Sequence, residues 1–102
     1  MRAKLTKAGI QKKLESTPGW KVASNGLSIS RNFTFSSFAE AFGFMTEVAI
    51  IAEKLDHHPE WTNVWRKVLV TLTTHSAKGL TKLDFDLAAA MNEIAKKRLL
   101  LP

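Results

Sequence analysis

The sequence predicts an α+β fold, a two-layer sandwich with three helices covering one face of a four-stranded antiparallel sheet. Three observations lead there. Three segments carry apolar stripes at helical spacing, others alternate with period two, and turn or cap signals stand where one pattern yields to the next. The resulting order is α-β-β-α-β-β-α. A length of 102 residues with 45% hydrophobic content suits a single domain over residues 1–102 and is too little for two.

Leu5, Ile10 and Leu14 share a helical stripe behind a Thr6 cap, and Pro18-Gly19 breaks that first helix. Trp20-Lys21-Val22 begins a strand that turns at Ser24-Asn25-Gly26, Asn-Gly being the strongest short hairpin signal. The returning strand places Leu27, Ile29, Phe33 and Phe35 on one side and Ser28, Ser30, Asn32 and Thr34 on the other. Arg31 interrupts the apolar side, which suggests an edge or a solvated stretch.

Ser37 followed by Glu40 reads as a capping box opening a long helix with the stripe Phe38, Ala41, Phe42, Met45, Val48, Ala49, Ala52 and Leu55. Phe44 and Ile51 form a second apolar line, which we assign to a subunit contact. After Pro59, Val64, Val68, Val70 and Leu72 alternate against Trp65, Lys67, Leu69, Thr71 and Thr73. Ten residues are long for one strand, so a turn or bulge near Arg66-Lys67 splits them. Thr81 with Asp84 caps a last helix with the stripe Leu83, Leu87, Met91, Ile94 and Ala95, and the terminal Leu99-Leu100-Leu101-Pro102 is expected to fray. The uncovered sheet face, rich in Ser, Thr and Lys, is open to solvent or a ligand.

Composition narrows the function. There is no Cys, hence no disulfide, thiolate nucleophile or Cys-based zinc site. The apolar-rich run over residues 38–52 is interrupted by Glu40, Thr46 and Glu47 and does not read as membrane-spanning, and Met1-Arg2-Ala3-Lys4-Leu5 lacks a signal-peptide core. A cytoplasmic protein is expected, with the nucleus also open to a eukaryotic one. The net charge of +6 comes from dispersed basic residues, with no basic run interleaved with aromatics. A solvated basic surface is the preferred reading, and nucleic acid is not expected as a partner.

Chemistry concentrates in Glu53-Lys54-Leu55-Asp56-His57-His58-Pro59-Glu60-Trp61, which holds two of the three histidines among three carboxylates. Imidazole exchanges protons near neutral pH, and Pro59 places the pair at a helix exit, where side chains reach a cleft. Glu53 and His57 are four apart, so one helix face would let the carboxylate orient the ring. His75, at a strand end, is a third imidazole that can join them. Three readings stay open: a polar helix end, a metal site, and an acid/base group. The metal reading has no H-E-x-x-H spacing behind it. Asp84 reads first as a helix cap. Trp61 and Trp65 read as packing residues, with Trp61 also placed to wall a flat ring.

Ala41-Phe42-Gly43-Phe44-Met45-Thr46, the Glu53-to-Trp61 run above, Asn63-Val64 and Thr71-Leu72-Thr73-Thr74-His75 resemble the pterin-4a-carbinolamine dehydratase family. Its animal members are also called the dimerisation cofactor of a hepatocyte nuclear factor. The likeness extends from Gly19-Trp20 to Gly79-Leu80-Thr81 and Asp84, nearly the whole chain. It implies dehydration of 4a-hydroxytetrahydropterin to quinonoid dihydropterin, which recycles tetrahydrobiopterin after aromatic amino acid hydroxylases act, with neither cofactor nor metal. It implies catalytic His57, His58 and His75, and pterin-binding segments His57-His58-Pro59 and Thr74-His75-Ser76-Ala77. Glu53 and Asp56 match the supporting carboxylates. On this reading His57 and His75 share the acid and base roles while His58 mainly holds the pterin. The resemblance further implies a homodimer or homotetramer, with a transcription factor or an aromatic amino acid hydroxylase as candidate protein partner. The alternative is a transcriptional cofactor or protein-binding module with a vestigial pterin site.

Overall fold

Residues 3–98 are described by a computed structural model. They form α1 (Lys7–Glu15), β1 (Lys21–Val22), β2 (Ile29–Thr34), α2 (Phe38–Leu55), β3 (Glu60–Val64), β4 (Lys67–Leu72), a short 3-10 turn (His75–Ala77) and α3 (Lys82–Lys97). The strands make one antiparallel sheet in the order β1-β2-β4-β3. The α+β class and the order of elements match the expectation. The terminal run expected to fray, residues 99–102, lies outside the described residues.

The cap signals act where the sequence placed them. Thr6 accepts from the Gly9 N–H at 3.1 Å, and Ser37 accepts from the Glu40 N–H at 3.1 Å. Thr81 accepts from Leu83 N–H while Asp84 Oδ2 accepts from Thr81 N–H at 2.9 Å, closing a full capping box. At Ser37 the second half of the box is missing, because the Glu40 carboxylate turns to Arg98 at 3.1 Å. Arg98 also meets Glu47 at 2.8 Å, joining the end of α3 to α2. Glu47 first, then Glu40, raises the guanidinium's pKa above its ordinary value. Gly43 leaves room for that side chain, since a Cβ there would come within 2.2 Å of Arg98 Nη1.

Between helices and sheet, Phe33, Phe35, Phe44, Leu72, Leu80, Leu87 and Met91 are fully buried. Ile10 of α1 belongs to the same core, and Trp20 packs edge-on to Phe33.

Several expectations need correction. Phe44 is no subunit contact: it is fully buried, with ring centroids 4.8 Å and 4.9 Å from Phe33 and Phe35. The buried line of α2 is Ala41, Phe44, Val48 and Ala52, whereas Phe38 and Phe42 are 51% and 56% exposed. Both lines have helical spacing, and spacing alone cannot say which one turns to the sheet.

Arg31 does not mark an edge, since β2 lies between β1 and β4. Its guanidinium stacks over Phe33 at 4.5 Å and donates to Asn92 Oδ1 at 2.6 Å. Desolvation there lowers its pKa from the ordinary value. Asn92 Oδ1 also accepts from Trp20 Nε1 at 2.9 Å, and Asn92 Nδ2 donates to Pro18 O at 3.0 Å. A charged residue is tolerated on the helix-covered face because a polar network receives it.

Val64 does not share the buried face of Val68. The turn is Trp65-Arg66, one residue earlier than expected, so Asn63 faces Val68 and Val64 faces Lys67. A two-residue turn shifts the parity of the alternation, and Val64 is left 67% exposed. Trp65 does not pack in the core either. It sits in the turn at φ 54°, exposed, with the Arg66 guanidinium 4.4 Å from its ring.

Candidate active site

α2 stops at Leu55 because Asp56 takes a left-handed conformation, φ 50° and ψ 45°, and its N–H bonds back to Ala52 O and Glu53 O. Asp is among the few residues that accept this backbone readily. The chain leaves the helix axis there, three residues before Pro59, and His57 turns inward while His58 turns outward. His57 is 5% exposed, and His58 is exposed.

That exit overturns the expected Glu53–His57 pair. Glu53 Oε1 instead meets His58 Nε2 at 2.6 Å, five residues on. His57 Nε2 meets Asp84 Oδ1 at 2.6 Å, across to the first turn of α3. Asp84 is fully buried, and its Oδ2 accepts from both Thr74 Oγ1 at 2.8 Å and Thr81 N–H. The residue read first as a cap is therefore a cap and a histidine partner at once. Ionised Asp84 accepts from Nε2–H of His57 and so fixes that tautomer, leaving the lone pair on Nδ1.

His75 begins the 3-10 turn just past β4, and its Nε2 lies 3.0 Å from Glu60 Oε1. Sequence reasoning passed over Glu60. The signal was the strand register: Glu60 pairs with Thr71, which puts the start of β3 beside the end of β4. Reading it required the hairpin turn to be placed to the residue. All three histidines thus have a carboxylate partner, one pair buried and two exposed.

The three imidazoles share one cavity of about 260 Å³, lined also by Asp56, Thr73, Thr74 and Ser76. Pro59 and Ala77 are half-buried beside it and are not among its lining residues. Thr74 is 1% exposed and its hydroxyl is engaged by Asp84 and Thr81 Oγ1, so it steadies the dyad from behind. Trp61 is half-buried against the core and does not line the cavity. Among the described residues, no group of three His, Cys, Asp or Glu is arranged to hold a metal ion.

Fold and site together define a small α+β domain with a three-histidine cleft at one end of its sheet. The sequence profile of the family described as Pterin 4 alpha carbinolamine dehydratase matches residues 3–94. A protein of Chelativorans sp. (strain BNC1), provisionally named pterin-4-alpha-carbinolamine dehydratase, is 56% identical over 96 residues, covering 94% of this chain and 98% of its own. A provisionally named dehydratase of Rhodopseudomonas palustris (strain HaA2) is 55% identical over 95 residues, covering 93% of this chain and 94% of its own. The crystal structure of a transcriptional coactivator/pterin dehydratase from Brucella melitensis superposes with a TM-score of 0.88 at 47% identity, over 90% of this chain and 98% of that one. A pterin dehydratase-like RuBisCO assembly factor of the alpha-carboxysome, 22% identical with a TM-score of 0.66 over 76% of this chain and 89% of its own, shares the fold. The chain belongs to the pterin-4a-carbinolamine dehydratase family. No helix of the described residues is long and apolar enough to cross a membrane.

Proposed function

We propose that the protein dehydrates 4a-hydroxytetrahydropterin to quinonoid dihydropterin by histidine acid/base catalysis, serving tetrahydrobiopterin recycling. The observation that carries this reading is the meeting of His57, His58 and His75 at one cavity, each with a carboxylate partner. In the reaction the C4a–O bond breaks, the neighbouring ring N–H gives up its proton, and the departing hydroxyl leaves as water. One group must take a proton and another must deliver one.

His57 suits the base. Its Nε2 is held by Asp84, and that carboxylate faces the positive charge the ring gains with a proton. His75, exposed at the start of the 3-10 turn and lining the same cavity, suits the acid. His58 holds the pterin, with Thr74, His75 and Ser76 lining the same cavity. Asp56 lines the same cavity and suits a ring N–H of the substrate. Nothing in this scheme calls for a metal or an organic cofactor. A dehydration assay against the spontaneous reaction tests it: acceleration is expected, and an unchanged rate would refute it.

We extend the proposal to self-association as a homodimer or homotetramer through α2, where Phe38 and Phe42 expose their rings 5.9 Å apart. Light scattering after size exclusion tests this, and a monomer at micromolar concentration would contradict it. A second reading, a protein-binding module or transcriptional cofactor, is favoured by the coactivator description of the Brucella melitensis relative. It predicts a folded protein that leaves the dehydration rate at its spontaneous value.

A further inference from the structure

Away from the histidines, a hollow of about 400 Å³ lies between α1, with the segment before it, and the turn that joins β1 to β2. That volume is within the roughly 300–1,000 Å³ usual for small-molecule sites. The hollow shares no lining residue with the histidine cavity. One wall is Lys4, Leu5, Lys7, Ile10 and Gln11, and the other is the run from Val22 to Leu27. Backbone bonds fix both walls, so the site is formed before any ligand arrives. Leu5 N–H donates to Leu80 O at 2.8 Å. Across from it, Ala23 N–H donates to Ser28 O and Gly26 N–H to Ala23 O, each at 2.9 Å.

We propose that this hollow binds a small organic carboxylate with an apolar body, of the arylacetic acid class. The inference does not depend on the dehydratase reading. Apolar surface is present in the lining: Ile10 is buried, Leu5 and Val22 are half-buried against the core, and Leu27 is 41% exposed. Burying such surface under a ligand's apolar group is favourable. Positive charge is present too. Lys4 and Lys7 are exposed, and neither side chain has a hydrogen bond or ion pair among the described residues.

Among the described residues no Asp or Glu lines the hollow. Asn25 Oδ1 is spent on Leu27 N–H at 3.0 Å, which leaves the Nδ2 protons of that amide to donate. Gln11, one turn beyond Lys7 on the same helix face, adds a second amide. The polar groups are thus mainly N–H donors. A cation would meet two like charges and no acid. A bare inorganic anion would use the ammoniums but leave the apolar lining in water. A carboxylate on an apolar body uses both parts.

The test titrates the full chain, isotope-labelled, with phenylacetate, phenylacetamide and inorganic phosphate while backbone amide NMR shifts are followed. Phenylacetate should bind saturably in the millimolar range, moving the amides of α1 and of residues 22–27. The neutral amide and the phosphate should each bind more weakly. Lys4→Met and Lys7→Met keep an apolar stem and remove the charge. Each should weaken phenylacetate roughly 2- to 5-fold, the worth of an exposed ion pair, and leave phenylacetamide unchanged. Leu27→Ser should weaken acid and amide alike, roughly 3- to 10-fold. Unliganded spectra that superpose on wild type report an intact fold, and either lysine variant decides the point if the other does not fold. Equal affinity for acid and amide, phosphate binding as tightly as phenylacetate, or shifts confined to the neighbourhood of His57, His58 and His75 would overturn the inference. So would an unchanged affinity in the lysine variants, or no saturable binding at all.

Discussion

Asp84 stands directly behind His57, Oδ1 to Nε2 at 2.6 Å, in a site where the carboxylate is fully buried and the ring nearly so. The two exposed pairs, His58–Glu53 and His75–Glu60, have the same chemistry but water around them. Burial decides which carboxylate matters. An exposed ion pair contributes about 0–1 kcal/mol, whereas a buried charged partner has no water to replace it. Asp84→Asn should therefore lower kcat by ~10²-fold or more, the range of a general base lost or misoriented. It should also cost about 1–3 kcal/mol of stability, because the amide presents a donor to Thr74 or Thr81. Glu60→Gln and Glu53→Gln should change kcat by less than about tenfold. Steady-state kinetics and urea titration on the three variants check the order, and equal losses would contradict it.

His58 and His75 should separate by kinetic constant. His58→Ala is expected to raise KM with little change in kcat, as for a group that binds substrate and transition state alike. His75→Ala should lower kcat by ~10²-fold. A near-normal kcat in His75→Ala would remove it from proton transfer, and an intact KM in His58→Ala would remove its binding role.

The two apolar lines of α2 predict opposite phenotypes. Phe44→Ala opens the core between Phe33 and Phe35 and should destabilise by about 3–5 kcal/mol. Phe42→Ser removes an exposed ring and should leave stability within about 0.5 kcal/mol while lowering the oligomeric mass. Thermal denaturation and light scattering read the two effects separately. A stable Phe44→Ala would return the core assignment to doubt.

Asn92 joins α3 to β2 and to the residues before β1 through Trp20, Arg31 and Pro18. Asn92→Leu should leave the buried Trp20 N–H without its acceptor and the Arg31 guanidinium with only Pro18 O at 3.3 Å. A loss of about 1–3 kcal/mol is expected, with kcat unchanged in the fraction that remains folded. Denaturant melts paired with active-site titration check this, and a neutral substitution would show that water replaces the amide.

Much of the architecture was legible because local chemistry declares it. Thr6, Ser37 and Thr81 each capped the helix they announced, and Asn25-Gly26 made its turn. What stayed hidden depends on distance or parity. Spacing showed two apolar lines on α2 but not which one meets Phe33. Alternation showed strands but not that Trp65-Arg66 would reverse the face of Val64. At the site, the three histidines were visible as residue types. Their partners were not, because Asp84 reaches His57 across 27 positions and Asp56 breaks the helical spacing that made Glu53 look like its mate.

The central claim is that the histidine cleft dehydrates a pterin carbinolamine. Its most direct measurement is the rate of 4a-hydroxytetrahydropterin dehydration with wild type beside His57→Ala, each against the spontaneous reaction. Acceleration by wild type and a loss of ~10²-fold or more in the folded variant are expected. A wild-type rate equal to the spontaneous one, or an undiminished kcat in His57→Ala, would contradict it.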